Sequence, residues 1–130
     1  MRILALVTLI LGLAALVFGV VFIFQASSSD KEIANSIAPL KLNEVNAKYD
    51  AVAAKYNAVK MAEEPNIQAG QALPTAMYNY LSSQRALLGL AKSNIGTVKA
   101  IRINGIVDIM VGVSLVFTGL ALYMKNGKAA

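Results

Sequence analysis

Asp108 is the residue of this chain whose setting looks most chemical. It is the one acid inside a long apolar run, Ile103 to Met124, and an ionised carboxylate costs roughly 3 kcal/mol or more to place in hydrocarbon. A carboxyl so placed can bind a cation, carry a proton or line a pore. It follows Asn104 by one helical turn, about 8 Å inside the start of the run by helical rise, and Ser114 lies on another face. Water reaches that depth, so the favoured expectation is an interfacial role. Gln25, the Ser27 to Ser29 segment and Lys31 are its expected partners. No other constellation suggests catalysis. The chain has no Cys, His or Trp, which removes thiol nucleophiles, disulfides, ordinary zinc or haem ligand sets and imidazole proton transfer. With its remaining acids solvent-facing on helices and no activated nucleophile, no enzyme activity and no cofactor are expected.

The element that must carry Asp108 is a helix, and it has a counterpart at the other end of the chain. Ile3 to Phe24 is a second apolar run, with no charge between Arg2 and Asp30; about 20 such residues suffice for a helix to cross a bilayer. The competing reading of that first run is a secretory signal, with Ala26 and Ser28 as a small-x-small site. The run exceeds the usual signal core, so an uncleaved anchor is expected. The predicted fold is an all-α membrane protein: two antiparallel transmembrane helices joined by a long extramembrane helical, coiled-coil-like hairpin. Its divisions are 1–26, the first transmembrane helix; 27–40, an irregular or short-helix connector with Ser29 or Asp30 as N-cap; 41–102, the helical hairpin, turning at 64–74; 103–124, the second transmembrane helix; and 125–130, a short basic tail.

Small residues recur every seven positions in both runs, at Ala5, Gly12, Gly19 and Ala26 and at Gly105, Gly112 and Gly119. Seven residues are nearly two helical turns, so each set forms one stripe. Helices in lipid associate largely through the close backbone approach that small residues permit. In an antiparallel pair the stripes can register as Gly12 with Gly119, Gly19 with Gly112 and Ala26 with Gly105. Packing within the chain is favoured over packing between copies, and glycine is also frequent in membrane helices generally.

Between the runs, apolar residues keep a three-four rhythm. Leu42, Val45, Tyr49, Val52, Tyr56 and Val59 form one seam, and Leu81, Gln84, Leu88, Ala91, Ile95 and Val98, preceded by Met77, form the other. Pro65, Asn66, Gly70 and Pro74 break the rhythm. Ile33, Ile37 and Leu40 are expected along the membrane surface or the base of the hairpin. Ala47, Ala51, Ala54, Ala58 and Met61 line up away from the first seam, which suggests a second contact face and hence a homo-oligomer or a larger membrane complex.

Net charge is +5. Lys41, Lys48 and Lys55 form one basic row; Arg85, Lys92 and Lys99 form another, and Arg102 adds to it. These residues are either a solvated face or, for Arg85, Lys92, Lys99 and Arg102, a contact for anionic lipid or an acidic partner. Nucleic acid is not expected, since no reader motif is present and Glu44, Asp50, Glu63 and Glu64 dilute the first row. Arg2, Lys125 and Lys128 place both termini in the cytoplasm and the hairpin on the outer side. A prokaryotic cell membrane is the default location. The sequence thus predicts a non-enzymatic structural or accessory membrane subunit, which self-assembles or stabilises a larger complex. Its alternatives are a small oligomeric channel with Asp108 near the mouth and a sensor-like helical ligand-binding module lacking an output domain.

Overall fold

A computed structural model describes residues 2–127 of the chain. Within them helices are the regular structure, without a strand: α1 spans Arg2–Ser36, a single 3-10 turn spans Leu42–Glu44, α2 spans Val45–Gln68 and α3 spans Ala76–Gly127. The basic residue Lys128 and the rest of 128–130 lie outside the described residues. Both α1 and the Ala76–Lys125 stretch of α3 are long and apolar enough to cross a membrane. The chain forms two compact units, one from residues 2–30 with 97–127 and the other from 31–96.

In the first unit the two helical segments run in opposite directions, since Gly12 meets Gly112 while Gly19 meets Gly105. Ala5, Gly12, Gly19 and Ala26 are buried on α1, and Val98, Gly105, Gly112 and Gly119 on α3. A seven-residue repeat brings one side of a helix back to nearly the same face, so each segment buries one narrow stripe. The large side chains turn outward, with Ile3, Phe24 and Phe117 each more than two-thirds exposed.

The connector differs from expectation. Residues 27–36 are helical and continue α1. No proline or glycine interrupts α1 between Gly19 and Pro39, and the serines do not cap a new element. Ser27 Oγ donates to the Ile23 carbonyl at 3.0 Å, and Ser36 Oγ to the Ile33 carbonyl at 2.8 Å. Serine that bonds back to its own helix is compatible with continuing it. Asp30 is likewise no N-cap; its carboxylate pairs with Arg102. Irregular chain is therefore confined to residues 37–41 before the 3-10 turn. The Lys41 N–H, at the start of that turn, donates to Glu44 Oε2 at 3.1 Å.

The second unit is built on α2 and the N-terminal portion of α3, with a core of Val52, Tyr56 and Leu81 against Val59, Tyr78 and Leu88. Val45 is fully buried, and Ile33 and Ala91 nearly so. The turn starts later than Glu64, because α2 continues through Pro65 to Gln68. Termination falls to Gly70, whose φ of 69° is the left-handed conformation open to glycine. The Gly70 N–H donates to the Ile67 carbonyl at 3.0 Å and the Gln71 N–H to the Asn66 carbonyl at 2.9 Å. Those two bonds satisfy carbonyls that the helix end would leave free.

At the start of α3, Thr75 Oγ1 accepts from the Tyr78 N–H at 3.2 Å, an N-cap bond. The reciprocal acceptor comes from α2, where Glu63 takes the Thr75 N–H at 3.1 Å and the Thr75 hydroxyl at 2.6 Å. A glutamate three residues after the cap usually fills this role; Tyr78 occupies that position, and a carboxylate from another helix replaces it. The cap thereby ties α2 to α3. Thr75→Ala should destabilise the unit by about 1 kcal/mol. In a double-mutant cycle of thermal melts with Glu63→Ala, the two losses should be less than additive; strict additivity would show that Glu63 acts independently of the cap.

Candidate functional site

Glycine at the stripe positions decides how close the two segments of the first unit come. A Cβ on Gly12 would stand 2.9 Å from the Gly112 carbonyl oxygen and 2.8 Å from the Val116 nitrogen; one on Gly19 would stand 2.6 Å from the Gly105 carbonyl oxygen. On Gly112 it would meet the Gly12 carbonyl oxygen at 2.7 Å, and on Gly119 the Leu9 side chain at 2.7 Å and the Ala5 carbonyl oxygen at 3.1 Å. Most of these obstacles are backbone, so even alanine requires the helices to separate. Leu9, Leu16 and Ile23 of α1 and Ile109 and Val116 of α3 fill the space beside the stripe.

The register is one heptad away from the expected one. Gly12 faces Gly112 instead of Gly119, Gly19 faces Gly105 instead of Gly112, and Ala5 faces Gly119. Slipping by seven residues exchanges one small residue for another, so the stripe specifies a face without specifying a level. Asp108 is displaced with it. The neighbouring Ile109 packs at Gly19, whereas Gln25 and Ser27–Ser29 lie about 9 Å or more further along α1 by helical rise. Asp108 is half-buried, and its carboxylate makes no hydrogen bond or ion pair among the described residues. Asn104 is exposed.

The basic residues expected to meet lipid or a partner are mostly engaged within the chain. Arg102 pairs with Asp30. Arg85 lies over the Tyr56 ring at 5.0 Å and Lys92 over the Tyr49 ring at 4.8 Å. Lys92 also reaches Asp50 at 3.6 Å, a surface pair that adds little. Lys99 is exposed. The two rungs, Tyr49 with Lys92 and Tyr56 with Arg85, are seven residues apart on both helices, and cation–π contacts of this kind contribute on the order of 0.5–1 kcal/mol at exposed sites. The spacing of seven on both sides was the available sequence signal. Gly89 leaves room for the lower rung, since a Cβ there would be 3.3 Å from Tyr49 Cε2.

Among the seam residues, Val45, Val52, Tyr56, Leu81, Ala91 and Val98 are buried, while Leu42, Tyr49, Val59, Gln84, Leu88 and Ile95 are half-buried. Met77, which precedes them, is exposed. Ala47, Ala51, Ala54, Ala58 and Met61 are all exposed, so no described residue covers that face. Tyr78 crosses the seam to Tyr56, with ring centroids 5.5 Å apart, and the two hydroxyls share a hydrogen bond at 3.4 Å.

Among the described residues no group of three potential ligands could hold a metal ion.

No family model, curated protein or solved structure matches this chain.

Two outcomes follow from the geometry. Gly112→Leu must push the paired backbones apart and should destabilise the helix pair by about 1–3 kcal/mol or more, whereas the exposed Val111→Leu should stay within about 0.5 kcal/mol. Thermal denaturation in detergent distinguishes them; equal tolerance would remove the stripe's role. The second concerns Tyr78, whose hydroxyl is pushed up to about 12, first by the hydrogen bond with Tyr56, then by burial and by repulsion from Tyr56, Glu64 and Glu63. Ionising Tyr78 removes a proton from the hydroxyl pair. Because the folded-state value lies above the ordinary value near 10, its contribution to stability is intact below about pH 10 and is lost as pH rises toward 12. Absorbance titration at 295 nm should show the Tyr78 tyrosinate forming late, and Tyr56→Phe should return it toward the ordinary range.

Proposed function

We propose that this chain is a non-enzymatic integral membrane subunit. Its two apolar segments span the bilayer as an antiparallel hairpin, and residues 31–96 form an extramembrane helical hairpin that binds copies of itself or a larger membrane complex. The observation that carries this reading is the glycine contact in the first unit. Two helices that touch backbone to backbone along one stripe, and turn large apolar side chains outward elsewhere, suit a solvent as apolar as they are. Only 11% and 17% of their most apolar windows are buried, less than expected of core helices in a water-soluble fold, which supports this reading. The exposed alanine row of α2 supports an interaction role, because a helical unit with an uncovered small-residue face can accept another helix closely.

In this reading both termini face the cytoplasm, where Arg2 and Lys125 suit them, and the hairpin lies on the outer side. A second reading, a small oligomeric ion-conducting pore, is favoured by one observation, the half-buried carboxylate of Asp108 without a partner. An intramembrane acid left unpaired in one copy is a candidate for a cation or for a neighbouring copy.

Alkaline carbonate washing tests the membrane assignment, and the chain should stay with the pellet; release into the supernatant would refute it. The absence of native cysteine makes single-cysteine variants clean reporters. Ala72→Cys, in the exposed turn between α2 and α3 and away from the alanine row, should react with an impermeant maleimide from the outer side of intact cells. The mass of the gently extracted particle, with every co-purifying chain identified, separates the two readings. A fixed stoichiometry with larger subunits supports the accessory role. A ring of this chain alone, with liposome ion flux abolished by Asp108→Asn, supports the pore.

A further inference from the structure

The second unit contains a half-open groove of about 650 Å³ between the end of α1 with the turn that follows it, the start of α2, and α3. Its volume falls within the roughly 300–1,000 Å³ of small-molecule sites. Ile33 and Ile37 line one wall and Leu87 and Leu90 the other. Leu87 and Leu90 are 68% and 61% exposed, an apolar pair left facing the groove and solvent.

The rim chemistry narrows the occupant. Ser36 Oγ is committed to the Ile33 carbonyl, and Gln84 Nε2 to the Tyr80 hydroxyl at 2.7 Å. Glu44 Oε2 is held by the Lys41 N–H. The Lys48 ammonium, the other charged group on the rim, has no ion pair or hydrogen bond among the described residues. A polar metabolite or a nucleotide would need several convergent buried donors, or an aromatic surface to stack on; the lining has no aromatic residue, and beyond Lys48 its remaining uncommitted amide is that of the exposed Asn94. An apolar trough with one free cation at its edge matches an amphiphile with an aliphatic chain and an anionic head.

We propose that the groove holds one acyl chain of a membrane phospholipid, with Lys48 on the phosphate. The choice of a phospholipid over a free fatty acid rests on the membrane reading above, which puts the chain in contact with that source. Lipid bound here would also cover Leu87 and Leu90, exposed on the stretch of α3 that carries the tyrosine-stacked Arg85 and Lys92.

The test uses the full chain purified in a mild nonionic detergent, incubated with a palmitoyl-oleoyl phosphatidylglycerol probe and examined by native mass spectrometry. Wild type should retain one phospholipid per chain. Lys48→Ala should lower retention at least threefold, and Leu87→Trp, which fills the trough, should abolish it. Lys55→Ala, on the same helix but outside the groove, should retain as much as wild type. Circular dichroism checks that each variant is helical; if Leu87→Trp fails to fold, Lys48→Ala alone decides. Equal retention in all four proteins would reduce the lipid to an annular one and overturn the proposal. Retention of oleate but not of the phospholipid probe would overturn it too, as would a dimer in which Leu87 is protected without lipid. Carbonate washing is independent of all these outcomes, so a failed groove and a failed membrane assignment are told apart.

Discussion

Close approach of two peptide backbones is the constraint on which the first unit depends. The distances at Gly12, Gly19, Gly105 and Gly112 leave no space for a methyl group, so the contact consists of many short-range attractions that vanish within an ångström of separation. Large side chains are excluded from the stripe and occupy its flanks, where Leu16 and Val116 close over the opposing glycines. This arrangement accounts for the composition of both segments: small residues once per heptad, aliphatic and aromatic residues elsewhere. It also determines what the outer surface must be, because nearly all bulky apolar groups are displaced toward it.

The second unit solves a different problem with different residues. Tyr56 and Tyr78 pack in its core, and Gly89 is small where Tyr49 needs space. Arg85 and Lys92 cover the outer faces of the Tyr56 and Tyr49 rings, so cations protect aromatic surface that a two-helix seam would leave wet. At the opposite end of α2, Glu63 caps a helix to which it does not belong. Aromatic stacking, cation cover and a shared cap give this small unit several independent ties where its buried core is limited to a few residues.

Much of this was legible in the residues. A seven-residue repeat of small side chains and a three-four repeat of larger ones pointed to one face of each helix, because burial on a helix follows periodicity; of the larger repeat, Leu42, Tyr49, Val59, Gln84, Leu88 and Ile95 are only half-buried. Level along the helix was not legible: Gly105, Gly112 and Gly119 are interchangeable partners for Gly12, and nothing local distinguishes them. Serine-rich 27–29 suggested a break, yet serine also bonds back to its own helix, and only the surrounding chain determines which occurs. The pairing of Asp30 with Arg102 and the capping of Thr75 by Glu63 join residues distant in sequence, which periodicity does not see. Function was the least legible, since Asp108 offers one carboxylate and no companion.

The strict heptad of small residues carries a consequence for how such a chain can adapt. Lengthening or shortening both segments leaves the stripe continuous only when whole heptads are added or removed, a change of about 10 Å along the axis. Any smaller insertion rotates the glycines off the shared face. If the segments lie in a bilayer, the hydrophobic thickness they match is therefore quantised, and tilting of the pair, rather than graded changes in helix length, is left to absorb the difference between one membrane and another.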